Sequence, residues 1–178
     1  MNGDLEQTDE QWRLRFARQL RHSPETVWRA ITEPAHLEAW FPDRIVGEWK
    51  VGSTLRFEAR GGEHDAFEGE VMSCEYPSLL EFRWGGDIIR FEIVPDGNGC
   101  ILNLIDTIDE LGKAARDGAG WHACLDMLEH HLNGTTPPWT PGQRWADVHD
   151  GYVQKFGLEA STIGPPDPVS VQTDSGRS

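Results

Sequence analysis

The chain has 178 residues, enough for one domain with appendages, and its 30 acidic against 16 basic residues give a formal net charge of −14. That balance excludes the cationic stripe that nucleic acid phosphates need and disfavours an anionic membrane surface; no apolar run approaches the length of a membrane span. Eight Trp and seven Phe supply the large apolar side chains of a core, or of a core with a hollow in it.

Residues 1–11 are polar and acidic, unlike a signal peptide, and are expected to form a disordered lead-in. Trp12, Leu14, Phe16 and Leu20 then alternate with polar residues as a half-buried strand does, and Arg18 falls on the apolar face. Ser23-Pro24 opens a short helix carrying Val27, Trp28 and Ile31, which Glu33-Pro34 ends. A second short helix holds Leu37, Trp40 and Phe41 and stops at Pro42.

Strands follow at regular spacing. Arg44 to Lys50 is the first, then Leu55, Phe57 and Ala59 alternate, and Phe67, Gly69, Val71 and Ser73 share one face. Leu80, Phe82 and Trp84 come next, then Ile89, Phe91 and Ile93; Asp96-Gly97-Asn98-Gly99 signals a hairpin into Leu102, Leu104 and Asp106. Such spacing predicts an antiparallel meander. Asp106 to Asp117 reads either as a loop or as a turn of helix.

From Asp117 to Asn133, apolar Trp121, Cys124, Leu125, Leu128 and Leu132 recur at helical spacing. A lone amphipathic helix after a run of strands predicts an α+β fold with a curved sheet wrapped around it. His122, Asp126, Glu129 and His130 lie on the opposite face, which is expected to meet solvent. A proline-rich linker and one more amphipathic helix, Arg144 to Phe156, occupy residues 135–158; packing within the chain is preferred for that helix over docking on a partner. The acidic tail 159–178 is expected to be disordered. Cys74, Cys100 and Cys124 form no CxxC pair and read as reduced thiols of a cytoplasmic protein.

Residues 12–134 resemble the helix-grip fold of the START-like, birch-pollen-allergen-like superfamily (SRPBCC). SPETVWRAITEPAHLEAWF at Ser23–Phe41 resembles the opening signature of the family related to the C-terminal domain of the heat-shock-protein-90 ATPase activator; WKVGSTLRFE, FEGEVMSCEYPSLLEFRW and GWHACLDMLEHHL add to the likeness. The family often runs its last meander strand into a T-H-x-G-type segment, whereas this chain reads LNLIDTIDELGKAARD. The separate N-terminal domain of the full-length activator is not expected here.

The resemblance implies a sheet–helix cavity that holds a small hydrophobic molecule, lipid-like or aromatic. Its expected lining comes from Phe16, Arg18, Trp28, Trp40 and Phe41, from Phe57, Val71, Phe82, Trp84 and Phe91, and from Ile93, Leu104, Trp121, Leu125 and Leu128. Arg18 and Asp106 either anchor a polar ligand group at the cavity mouth or belong to internal ion pairs and strand ends; the latter is preferred. His122, Asp126 and His130 share a helix face, but one expected to be solvated, so no metal is assigned. Glu58, Glu81 and Glu92 alternate with the apolar positions and should point outward, and no nucleophile or phosphate-loop motif is present. The expected function is therefore ligand binding without catalysis and without a cofactor. A chaperone partner is the alternative, and a polyketide cyclase- or aromatase-like enzyme is the second.

Overall fold

The computed structural model describes residues 2–165. Eight strands form one antiparallel sheet: β1 (Asp4–Thr8), β2 (Gln11–Leu20), β3 (Asp43–Val46), β4 (Thr54–Ala59), β5 (Phe67–Glu75), β6 (Leu79–Trp84), β7 (Asp87–Asp96) and β8 (Gly99–Ile108). Their spatial order is β1-β2-β8-β7-β6-β5-β4-β3. The last six strands are the predicted meander; α1 (Pro24–Thr32) and α2 (Pro34–Leu37) carry the chain from β2 across to β3 at the far edge, and the meander returns so that β8 pairs with β2. α3 (Ala114–Asn133) lies in the curve of the sheet and α4 (Pro141–Phe156) packs on α3, so the preferred packing within the chain is the one observed. This is the α+β architecture expected from the strand spacing, a curved meander around one helix, and it is the helix-grip fold that the resemblance implied. No described helix is long and apolar enough to cross a membrane.

The local signals act as their chemistry dictates. The Ser23 hydroxyl accepts from the Thr26 amide at 3.2 Å to cap α1, and Glu33 before Pro34 ends it in an extended conformation. Side chains that alternate along each strand line up across strands. Phe16, Leu104, Phe91 and Leu80 form one buried row; Leu14, Asp106, Ile89, Phe82 and Val71 form the next. A register shift between Val71 and Ser73 marks a bulge that bends β5.

Five expectations need correction. The lead-in is not disordered: β1 pairs with β2 from Asp4–Arg15 to Thr8–Gln11, through a turn with Asp9 and Glu10 at φ 50° and 64°. Its sequence carries little apolar signal because its order comes from tertiary partners. The Gly3 amide donates to the Tyr152 hydroxyl at 2.8 Å, and Lys155 Nζ donates to the Gly3 carbonyl and to Asp4. The first meander strand stops at Val46 rather than reaching Lys50, because Gly47, at φ 145°, leaves the strand conformation. The tail does not begin at Glu159: Leu158–Ser161 form a 3-10 turn with Ala160 buried, and the Ile163 amide donates to the Gly112 carbonyl. The tail beyond residue 165 lies outside the described residues. α4 starts at Pro141, not Arg144, because Thr140 and Gln143 form a reciprocal capping box around Pro at the first turn.

The fifth correction concerns α3. Its face at His122 and Asp126 is covered by α4 and does not meet solvent. Gly118 lets α4 approach so closely that a Cβ there would lie 3.2 Å from ring carbons of Tyr152 and Phe156. Within this interface Asp126 accepts from Arg18 Nη1 at 2.7 Å and from Arg144 Nε at 2.6 Å. His122 Nε2 lies 3.0 Å from Arg144 Nη2 and 3.4 Å from Asp126 Oδ2, and its Nδ1 faces the Tyr152 hydroxyl at 2.9 Å. Burial pushes the Asp126 carboxyl up, but His122, Arg144 and Arg18 outweigh it and hold the group well below the usual carboxylate range.

Candidate functional site

The polar residue on the inward face of β8 is the starting point. Asp106 stands between Leu14 and Ile89 in an otherwise apolar row and is fully buried. Its Oδ2 accepts from Trp121 Nε1 at 2.7 Å, and its Oδ1 has no hydrogen-bond partner. Burial, and then the charge of Asp87, push this carboxyl well above the ordinary range.

Around it lie Asp87 at the start of β7 and Asp117 in the first turn of α3; one carboxylate oxygen from each of the three residues lies within 4.8 Å of the other two. A tethered cation serves this cluster: Lys113 Nζ is 2.6 Å from Asp87, 2.7 Å from Asp109 and 4.0 Å from Asp117. Burial would lower the Lys113 ammonium, but its bonds to Asp109 and Asp87 outweigh that and keep it above its ordinary range. The ambiguous stretch after Asp106 is thus the end of β8, a 3-10 turn at Leu111–Lys113 and the first residues of α3, placed where its lysine meets these acids.

Beside this cluster a hollow of about 170 Å³ opens, lined by Pro42, Trp84, Arg116, Asp117, Gly120, Trp121, Cys124 and Trp145. Its walls are predominantly apolar, and all three indole N–H groups are committed elsewhere. Trp84 donates to Asp43 at 2.8 Å, Trp121 to Asp106, and Trp145 to the Arg116 carbonyl at 3.0 Å. Asp43 also faces His64 Nε2 at 2.8 Å; hydrogen bonds to the Asp65 carbonyl and to Asp43 raise that imidazole. The Asp117 carboxylate is bonded to Arg116 Nε at 2.7 Å. Burial, and then the Asp43 charge, push the Cys124 thiol up to about 12, so it is not a thiolate at neutral pH.

Larger clefts exist, but neither of the two largest is predominantly apolar. One of about 360 Å³ runs along Asp126, Glu129, His130, Trp139 and Arg144; one of about 620 Å³ lies over the β7–β8 turn and the end of β2. Neither has the apolar walls that bind small molecules.

Of the fifteen residues expected to line a cavity, Trp84 and Trp121 face this hollow. Phe16, Trp28, Trp40, Phe41, Phe57, Val71, Phe82, Phe91, Ile93, Leu104, Leu125 and Leu128 are buried in one continuous core. There the rings pack on one another: Phe41 lies 5.7 Å from Trp84, 5.9 Å from Trp121 and 6.3 Å from Phe82, centroid to centroid. Arg18 pairs with Asp126 and Glu129 further along α3. Glu81 and Glu92 bond Arg90 in ion pairs that keep partial contact with solvent. His122 and His130 do not converge, since His130 Nδ1 is bonded to Thr135.

The residues that sequence reasoning did not assign to the hollow are Pro42, Arg116, Asp117, Gly120, Cys124 and Trp145. Gly120 carried a usable signal. A glycine inside an apolar-periodic helix marks a place where a side chain is left out, and a Cβ there would meet nothing within 4 Å. Accordingly, Gly120→Ala is expected to fold and to raise stability by up to about 1 kcal/mol through helix propensity, checked by thermal unfolding.

A curved antiparallel sheet closed over one long helix, with an aromatic hollow at the helix's N-terminal half, defines a helix-grip domain. Residues 21–133 match the family described as "Activator of Hsp90 ATPase homolog 1-like protein", and the chain belongs to that family. No curated protein matches the chain in sequence. Among solved structures, a conserved protein of unknown function from Enterococcus faecalis, EF2215, superposes with a TM-score of 0.71 at 22% identity, over 86% of this chain and 89% of that one. CalU16 from Micromonospora echinospora gives 0.66 at 19% identity, over 87% and 94%. The Aha1 dimer from Colwellia psychrerythraea gives 0.58 at 21% identity, over 67% and 95%. At these identities the likeness is one of fold.

Proposed function

We propose that the chain binds a small apolar molecule, of single-ring size, in the hollow between Trp84, Trp121 and Trp145, and binds it without catalysis. The observation that carries this is the wall itself: three indoles with their N–H groups turned to other acceptors, around about 170 Å³ of space. An apolar cavity of about 150 Å³ is enough to admit benzene, whereas drug-sized ligands occupy roughly 300–1,000 Å³. The volume therefore favours an aromatic ring over an acyl chain. The chemistry favours binding over turnover. Asp106 is sealed behind Trp121, Asp117 is paired with Arg116, and the Cys124 thiol is protonated at neutral pH.

Tryptophan fluorescence titration with phenol and indole tests the reading, alongside native mass spectrometry of protein purified from its own host. Saturable binding by the natural protein is expected, and its loss in Gly120→Leu, which places a side chain in the hollow without disturbing the core. Equal binding by the natural protein and Gly120→Leu would put the site elsewhere.

Membership of the family supports a second reading, in which the chain acts on a chaperone through its surface. A pull-down with a purified Hsp90-type chaperone, with an ATPase assay, decides it: no binding and no stimulation removes it.

A further inference from the structure

We propose that Asp87, Asp106 and Asp117 form a site for a hard divalent cation of calcium size, where β7, β8 and the start of α3 meet. The site is independent of what the hollow binds.

Each of the three carboxyls has one oxygen held by the protein and one to spare. Asp87 Oδ1 accepts from Lys113 Nζ at 2.6 Å and from the Asp109 amide at 3.1 Å. Asp106 Oδ2 accepts from Trp121 Nε1 at 2.7 Å, and Asp117 Oδ1 from Arg116 Nε at 2.7 Å. Such bonds orient the carboxyls as the outer partners of metal ligands do. Among the described residues no donor is bonded to the second oxygen of any of the three; Lys113 Nζ stands 4.0 Å from Asp117 Oδ2. The Asp106 oxygen carries the most weight. The residue is fully buried, its Oδ1 has no hydrogen-bond partner, and Lys113 pairs with Asp87 and Asp109 but not with Asp106. Leaving a buried carboxyl oxygen in that state costs free energy that a bound cation offsets.

Donor type and spacing choose the ion. An all-carboxylate set suits calcium, magnesium or manganese rather than zinc or copper. Calcium binds oxygens at about 2.3–2.6 Å, so one ion spans the 4.8 Å within which these oxygens lie; magnesium, at about 2.0–2.1 Å, reaches only about 4.2 Å across and demands near-octahedral order. The charge agrees. Asp87, Asp106, Asp109 and Asp117, counted as ionised, are four charges against the two of Lys113 and Arg116, and the two left over are what one divalent ion cancels. Lys113 does not have to leave the cluster, because its 2.7 Å bond to Asp109 remains when an ion takes its place beside Asp87. Asp109 is 51% exposed and marks the route in from solvent. The net charge of −14 adds a long-range field that draws cations in.

The test is terbium luminescence of the chelator-treated protein, excited through tryptophan, with Tb³⁺ as the probe and Ca²⁺ and Mg²⁺ as competitors. Trp121 donates to Asp106, so an ion held there sits beside an indole that can sensitise it. Saturable emission is expected from the natural protein, with Ca²⁺ displacing Tb³⁺ at lower concentration than Mg²⁺. Asp106→Asn keeps an acceptor for Trp121, and Asp117→Asn keeps one for Arg116, so both should fold. Each removes one charged ligand and should weaken Tb³⁺ by at least about tenfold. Ca²⁺ should raise the melting temperature of the natural protein by mass action and leave both variants unchanged.

Emission that is equally strong in Asp106→Asn and Asp117→Asn overturns the proposal, because the ion is then held by the acidic surface at large. Absence of saturable emission from the natural protein overturns it too. So does displacement by Mg²⁺ at the same or lower concentration than Ca²⁺, since the spacing then does not select the larger ion. None of these outcomes bears on phenol binding in the hollow, which is measured separately.

Discussion

Asp126→Ala is expected to cost about 3–5 kcal/mol of stability at neutral pH, the scale for removing one partner from a buried ion pair. Asp126 is 14% exposed and its principal partner Arg18 only 7%. Arg18 Nε and Nη2 already lack acceptors, so without Asp126 the guanidinium keeps one bond, to the more exposed Glu129 at 3.2 Å. Arg144 loses its 2.6 Å Nε bond to Asp126 in the same step, and with it part of what seats α4 on α3. Urea unfolding measures the loss; a cost below about 1 kcal/mol would show that the pair behaves as an exposed one. The double change Arg18→Met with Asp126→Leu should recover most of the loss, because it removes both buried charges together. The pH dependence has a definite sign. The folded carboxyl lies below the value of 3.8 that it takes in the unfolded chain. Its contribution is therefore full above that pH and is lost as pH falls through and below it.

Asp106→Asn is expected to work the other way and to stabilise the protein at neutral pH. Folded Asp106 keeps its proton to a higher pH than the unfolded chain, whose carboxyl titrates near 3.8. Between those two values the unfolded state releases a proton that the folded state retains. Wild-type stability therefore falls as pH rises through that window, by up to about 1.4 kcal/mol per pH unit. Asparagine can accept from Trp121 Nε1 in the same way without that penalty. The two proteins should match below pH 3.8 and diverge progressively above it, read by denaturant midpoints across a pH series. An Asp106→Asn protein less stable than wild type at pH 7 would mean that the acid is ionised and paired with Lys113.

The two acids differ in what surrounds them, which no spacing rule reports. Asp126 and Asp106 are both aspartates beside apolar helix or strand positions. One meets two guanidiniums and the other meets one indole. Both arrangements join residues far apart in the chain: Arg18 to Asp126, Asp126 to Arg144, and Asp106 to Trp121.

What the amino-acid sequence determined by itself was the local grammar and, through it, the fold. Alternation along Leu80, Phe82 and Trp84 or Ile89, Phe91 and Ile93 sets which face each strand buries; Ser23-Pro24, Glu33-Pro34 and Asp96–Gly99 set where elements start and turn. These signals are local because backbone hydrogen bonding and side-chain period are local, and with one helical stripe to cover they leave few architectures. Tertiary structure decided the rest. β1 forms because the edge of β2 and the side chains of α4 give its backbone partners, not because its residues prefer a strand. The face of α3 at His122 is buried because Gly118 admits a second helix. The hollow exists because the aromatic rings under α3 interlock and leave space at Gly120, beside a tryptophan supplied by a helix beyond the sheet. Packing of that kind depends on ring shapes meeting in three dimensions, which periodicity along the chain does not encode.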